Sequence, residues 1–112
     1  MADKEQRHSQ RKAVVLNASV SHIDSFGVSK PIAVKTLNLS KTGTLIESPE
    51  KLYPGELCSF NIVTHDAKNV FLQGRIIWVN PEADGKYRAG VSFRNLSADE
   101  EYLISLTLVR SG

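Results

Sequence analysis

Two arginines, Arg7 and Arg11, stand four residues apart in the polar stretch before the first apolar run of the sequence. An arginine guanidinium is a planar fork of donors that can hold a phosphate through two parallel hydrogen bonds, bind the O6 and N7 edge of guanine, or stack on a base. A spacing of four brings the forks to one side of a helix, or about 13 Å apart on one face of an extended chain. The pair suits a ligand with both phosphate and guanine, although a solvated charged terminus has the same pattern.

A second polar group lies in the segment TLNLSKTGTLI, where one predicted strand gives way to the next. In extended backbone, Asn38 and Ser40 project on one face and the neighbouring leucines on the other. The Asn38 amide can read a base edge, the Ser40 hydroxyl can serve a phosphate or a ring nitrogen, and Gly43 permits a positive φ or a close approach of backbone to a ligand. The same residues also suit a polar turn whose side chains bond nearby backbone amides.

The remaining polar residues give no pattern of a catalytic centre. His8, His22 and His65 lie far apart, no serine sits in a G-x-S-x-G elbow, and no two carboxylates suggest a general acid and base. His22 is expected to be partly buried or at an edge, and His65 to lie in a polar loop. Cys58 is the only cysteine in the sequence, and we expect it to be a small residue of the core. We therefore expect no enzyme, no metal and no cofactor.

The length and charge of the chain indicate one domain with a cationic start. A chain of 112 residues can bury a single core. Its 14 basic and 12 acidic residues give a net charge of +2, too small for a general nucleic-acid binder. Residues 1–12 carry this excess. No apolar run approaches the roughly 20 residues that span a bilayer and no secretory leader is visible, so we expect a cytoplasmic protein without membrane insertion.

Period-two alternation of apolar residues predicts six short strands. The sequence NPEADGK predicts a hairpin, and Gly74 marks the expected bend of the long strand VFLQGRIIWV. Ser97 and Glu100 form a capping box that begins a helix. Its apolar residues fall on one stripe, which we expect to pack against the sheet or cover an open end: Tyr102, Leu103, Leu106 and Val109. The predicted fold is all-β with one terminal helix, a six-stranded antiparallel barrel closed by that helix.

Together the two polar segments give R-x-x-x-R before the first strand and N-x-S-x-x-G after the second. In this pattern the chain resembles the PilZ domain family, bacterial receptors for the second messenger cyclic di-GMP. The stretches GRIIWV and YRAGVSF, joined by a hairpin and followed by a short helix, are similar to the later strands of that family. The resemblance covers about residues 6 to 108.

The resemblance implies a barrel that binds cyclic di-GMP on its outer surface, with the arginine segment wrapped over the ligand. Arg7 and Arg11 would grip guanine and phosphate, and Asn38, where the family has Asp or Asn, would face a guanine edge with one negative charge fewer than Asp. Ser40 would reach a phosphate or a base, and Gly43 would keep the ligand-side turn open.

Two further positions are weaker candidates for the ligand site. In the family that the chain resembles, the position of Gln6 influences whether one ligand or a stacked pair binds, and Gln at this position leaves both open. Trp78 could present its ring to the ligand or belong to the core. We expect residues 1–11 to be a flexible arm on a barrel of residues 12–112. Such a polar arm buries too little apolar surface to offset its entropy without ligand. Ordered by ligand, it would form a new surface for an unidentified downstream protein.

Two other functions stay open. One is a small barrel that binds single-stranded nucleic acid, which would need exposed aromatic residues between bases. The aromatic residues here are expected mostly on apolar faces, so we expect no nucleic-acid partner. The other is a PilZ-like adaptor that works by protein contact without nucleotide.

Overall fold

Seven strands and one helix make up the part of the chain that the structure, a computed structural model, describes: residues 13–24, 27–28 and 30–111. In chain order these elements are β1 Asn17–Asp24, β2 Gly27–Val28, β3 Ile32–Leu39, β4 Gly43–Ser48, β5 Leu57–Val63, β6 Asn69–Pro81, β7 Tyr87–Arg94 and α1 Ala98–Ser111.

Six of the strands close into a barrel. Neighbouring strands follow the order β1, β3, β4, β7, β6, β5, and β5 then pairs with β1, with Ala18 opposite Ile62 and Val20 opposite Phe60. The two-residue β2 pairs antiparallel with the end of β1 and is not part of the barrel. Closure leaves these six strands without an open edge. The predicted six-stranded antiparallel barrel with a terminal helix is confirmed.

The barrel interior is filled by the apolar residues that alternate along the strands. β5 shows the pattern most clearly, because Cys58, Phe60 and Ile62 are buried while the residues between them are only partly covered. The predicted core role of Cys58 is confirmed, since its side chain is 0% exposed. Burial, with a smaller contribution from the Glu56 carboxylate, raises the pKa of this thiol to about 11. The thiol is thus held in its neutral form.

The long strand β6 bends at a different place from the one predicted. Gly74 keeps regular register with Cys58 and Phe93, and the β-bulge lies between Ile76 and Trp78. The expectation of a bend at Gly74 is wrong. A Cβ at Gly74 would stand 2.8 Å from Cγ1 of Val91, so this glycine serves close packing against β7.

The helix begins as predicted, but only part of the predicted apolar stripe faces the barrel. Glu100 accepts from the Ser97 amide at 2.8 Å, and Ser97 Oγ accepts from the Glu100 amide at 3.1 Å, which confirms the capping box. The side facing the barrel carries Ile104, and Leu103 of the predicted stripe packs against the core, whereas Tyr102 and Val109 of that stripe are exposed. The helix has apolar residues around most of its circumference, so their period alone does not select a face.

Two hairpins shape the ends of β6. At the β6–β7 hairpin, the backbone amide of Glu82 donates to the Lys86 carbonyl at 2.7 Å. Gly85 has a φ of 86°, and together these features confirm the predicted turn. At the β5–β6 loop, the backbone amide of Thr64 donates to the Lys68 carbonyl at 2.8 Å.

Within the described residues, no helix has the length and apolar character needed to cross a membrane.

Candidate functional site

The turn between β3 and β4 is held by the side chain of Ser40. Its Oγ accepts from the backbone amides of Thr42 and Gly43, both at 3.2 Å, and its own amide donates to the Gly43 carbonyl at 2.9 Å. A serine hydroxyl that bonds amides a few residues ahead is a common way to fix a tight turn. Ser40 is 0% exposed, so it does not share an open face with Asn38 as the extended pattern predicted.

Gly43 is required by the contact between β4 and β7. A Cβ at this position would collide with the carbonyl oxygen of Val91. The positive-φ glycines among the described residues are Gly55 and Gly85, so Gly43 does not use the left-handed conformation. Its role in the structure is a close approach between two strands beside the turn.

Asn38 lies at an irregularity of β3. The register against β4 shifts between Thr36 and Asn38, and Asn38 is then paired with Leu45. Its Oδ1 accepts from the Leu45 amide at 3.1 Å, and its carbonyl accepts from the Thr44 hydroxyl at 2.6 Å. Because a backbone N–H only donates, this bond places the amide oxygen towards Leu45 and orients the half-buried Asn38 side chain.

A row of paired residues runs from Asn38 around the outside of the barrel. Asn38 pairs with Leu45, Leu45 with Gly90, and Gly90 with Trp78. The row crosses β3, β4, β7 and β6, and three strand spacings amount to about 14 Å. The structure thus brings Trp78 onto the same outer surface as Asn38. Alternation along the sequence could not show which strands would become neighbours.

Trp78 belongs to the outer surface rather than the core. Its side chain is 41% exposed, and its indole lies on the backbone of Gly90, where a Cβ would collide with Nε1 and stand 2.6 Å from Cε2. The bulge after Ile76 turns Trp78 outward. The core alternative for Trp78 is therefore wrong, and the ring is available as a flat platform.

The chain enters β1 beside Asn38. Thr36 Oγ1 donates to the Val14 carbonyl at 2.5 Å and accepts from the Leu16 amide at 2.9 Å, and the Thr36 amide donates to the Leu16 carbonyl at 2.9 Å. The period-two pattern that starts at residue 13 predicts the first strand from there, whereas residues 13–16 lie beside Thr36 of β3 and β1 begins at Asn17. Gln6, Arg7 and Arg11 lie outside the described residues, so their placement stays a prediction.

Away from the Asn38 turn, the polar groups of the described residues form no second candidate site. His22 is partly buried as expected, with its Nδ1 at 3.1 Å from Glu56 Oε1 and at 3.9 Å from Cys58 Sγ. Among the described residues, no three histidine, cysteine or acidic side chains are grouped so that they could hold a metal ion. A cavity of about 220 Å³ lies between α1 and the β5–β6 loop, and none of the predicted site residues lines it.

The aromatic residues are more exposed than the sequence pattern indicated. Tyr53, Phe71, Trp78 and Tyr102 are between 41% and 64% exposed. The expectation that aromatics lie mostly on apolar faces is wrong for these four. Phe71 and Trp78 are both on β6 but about 23 Å apart along it, so they do not form a continuous run of stacking platforms.

Comparison with known proteins identifies the domain. The family model of the PilZ domain matches residues 5–108 of the chain. A search of curated proteins found no match.

Solved structures with the same fold include the Bacillus subtilis inhibitor of motility MotI/DgrA, with a TM-score of 0.72 and 14% identity over 94% of this chain and 51% of the other. The PilZ domain of YcgR from Escherichia coli, solved with c-di-GMP, has a TM-score of 0.70 and 12% identity over 93% of this chain and 90% of the other. The PilZ domain of CeSA from a cellulose-synthesizing bacterium has a TM-score of 0.65 and 21% identity over 92% and 99%. The chain spans about half the length of the Bacillus protein.

Proposed function

The chain belongs to the PilZ domain family, and on that premise we propose that it is a receptor for cyclic di-GMP. The ligand would lie on the outer surface of the barrel between the Asn38 turn and Trp78, with Arg7 and Arg11 closing over it. The proposed role is binding, with no bond made or broken in the ligand.

The observation that carries this proposal is the position of residues 13–16 along β3. Val14 is held to Thr36, two residues before Asn38. Arg11 precedes Val14 by three residues and Arg7 by seven. Since an extended chain spans at most about 3.6 Å per residue, the Cα of Arg11 lies within about 11 Å of the Val14 Cα and that of Arg7 within about 25 Å. The row from Asn38 to Trp78 is about 14 Å long, so its Asn38 end is within reach of Arg11 and its whole length is within reach of Arg7. The two arginines can therefore reach a ligand on that row.

Asn38 and Trp78 would supply two different kinds of contact. Asn38 Oδ1 accepts from the Leu45 amide, and the NH2 end of an asparagine side chain can donate to an acceptor edge such as guanine O6 or N7. The exposed indole of Trp78 offers a face on which a purine or a guanidinium can stack. The guanidinium groups of Arg7 and Arg11 would then bind guanine and phosphate.

Ser40 and Gly43 would act on the ligand through the backbone they shape. The Ser40 hydroxyl is occupied by two turn amides and fully buried, which favours a positioning role over direct contact with phosphate. Gly43 lets β4 approach β7 and so keeps Leu45, and with it Asn38, in register. Replacing either residue would displace Asn38 and would weaken ligand binding through that displacement.

Ligand binding would fasten the cationic arm to the barrel and create a surface that a downstream protein recognises. Residues 1–12 contain four bases and two acids, so a dianion neutralises their excess charge. The ordering cost of the arm is then met by charge-assisted bonds that exist only in the complex. The downstream protein would select the closed arm by its contacts with both arm and barrel.

Calorimetry with cyclic di-GMP tests this proposal. We expect Arg11→Ala to weaken binding at least tenfold, because a hydrogen bond to a charged group contributes about 1.5–3 kcal/mol. Lys51→Ala is the matched control, since it removes one positive charge from the β4–β5 connection. Equal affinities for wild type and Arg11→Ala, or an equal loss in Lys51→Ala, would remove the arm from the site.

The same titration separates the two alternative functions. An adaptor without nucleotide would release no heat with cyclic di-GMP at any concentration tested. A single-strand binder would lose bound cyclic di-GMP when an oligothymidine is added in excess, whereas the proposed receptor would retain it.

A further inference from the structure

The outer side of α1 carries an apolar line that nothing in the described chain covers. Tyr102 is 64% and Val109 74% exposed, although both belong to the apolar stripe of the helix. With Ala98 and Ser105 they follow spacings of four, three and four residues, the repeat of helices that pack side by side. Exposed apolar side chains at this spacing are suited to packing against a second helix.

The longest segment outside the described residues is poorly suited to cover this line. Residues 1–12 contain only Met1 and Ala2 as apolar residues, and their remaining side chains are charged or polar. Polar side chains would lose hydration against Tyr102 and Val109 without a compensating hydrogen bond. The chemistry of the line fits an apolar partner from another molecule.

The charges beside the line match a second copy of the same helix. Asp99 lies in the first turn of α1 and Arg110 in the last. Their positions are separated by about three whole helical turns, so the two side chains stand on the same flank at opposite ends of the helix. When two such helices pack antiparallel, equivalent flanks face each other and Asp99 of one copy meets Arg110 of the other. Antiparallel helix dipoles add to this attraction.

From these observations we propose that α1 is a homodimerisation surface, with two copies packed antiparallel through Tyr102, Ser105 and Val109. Around the two-fold axis, Tyr102 of one copy lies against Val109 of the other. Arg110 already donates to Asp66 at 2.8 Å, but a guanidinium has five N–H donors and can bind a second carboxylate. The surface does not involve Asn38 or Trp78, so dimerisation is independent of the proposed nucleotide site.

The contact is short, and its strength follows from its size. A helix of 14 residues is about 21 Å long. The line it presents is smaller than the roughly 1,200–2,000 Å² that stable complexes bury, so we expect a weak dimer that forms only as the concentration rises.

Sedimentation velocity over a concentration series without nucleotide tests the pairing. We expect the weight-average mass of the wild type to rise towards twice the monomer mass, and Val109→Lys to stay monomeric. Phe71→Lys is the matched control, because Phe71 is 63% exposed on β6 and lies outside the line. A wild type that stays monomeric throughout, or equal effects of the two substitutions, would overturn the proposal and leave the line to a different protein.

A charge exchange tests the antiparallel arrangement itself. Asp99→Lys alone and Arg110→Glu alone each place like charges opposite each other, so both should dimerise at least several-fold more weakly than wild type. Mixed together, they restore both pairs, and we expect a heterodimer to form. Circular dichroism would establish that each variant keeps its helix. Folded variants that fail to associate on mixing would contradict the antiparallel register.

Discussion

At the scale of single residues, the candidate site is built from polar side chains that bond the backbone. Ser40 Oγ bonds two amides of its own turn, and Asn38 Oδ1 bonds the amide of Leu45 on the next strand. Thr36 does the same for the segment before β1. These bonds set the positions from which a ligand would be met.

Replacement of Thr36 should directly weaken the attachment of residues 13–16 to β3. Thr36→Val keeps the shape of the side chain but leaves the Val14 carbonyl and the Leu16 amide without their hydroxyl partner. Since each buried polar group without a partner costs about 1–3 kcal/mol, we expect the free energy of unfolding in urea to fall by about 2–4 kcal/mol.

Thr107→Val is the matched control for this substitution. Thr107 is also buried, but its hydroxyl only donates to the Leu103 carbonyl within α1, and we expect a loss below about 1 kcal/mol. If both valine variants lost the same stability, Thr36 would have no special part in holding residues 13–16.

At the scale of elements, the loops differ in how closely their residues match the backbone. Ala67 in the β5–β6 loop has a φ of 65° and Asn95 after β7 a φ of 50°. Asparagine enters this left-handed region readily, whereas for alanine it costs about 1–2 kcal/mol. The β5–β6 loop therefore stores strain that the loop after β7 avoids.

Ala67→Gly should release that strain. We expect it to raise the free energy of unfolding by about 1 kcal/mol, and Asn95→Gly to raise it by less, measured by urea denaturation of each variant. A glycine at 67 that destabilised the protein would show that the side chain of Ala67 makes a contact that outweighs its backbone conformation.

Local elements could be predicted from sequence, whereas features set by packing could not. The capping box at Ser97 and the turn at Gly85 depend on residues a few positions apart, and both were predicted. The bulge before Trp78 and the burial of Ser40 depend on strands that are neighbours only in the barrel. The outward face of α1 was missed because an apolar period does not say whether the barrel or another molecule covers it.

At the scale of the whole molecule, strand direction brings the site together. In an antiparallel barrel, β1 begins at the end where β3 finishes, β4 begins and β7 finishes. Residues 13–16 and the Asn38 turn thus share one end of the barrel, although β1, β2 and most of β3 lie between them in the chain. α1 follows β7 at this end and presents its apolar line outward.

The central claim is that cyclic di-GMP brings the arm onto the row from Asn38 to Trp78. Paramagnetic relaxation enhancement tests it directly, with a spin label on Ser9→Cys, between the two arginines, in a Cys58→Ala background. We predict that cyclic di-GMP strongly broadens the Asn38 side-chain NH2 and Trp78 indole N–H signals, while the Gly85 amide at the opposite hairpin stays sharp. Signals of Asn38 and Trp78 that are equally sharp with and without bound nucleotide would contradict the account.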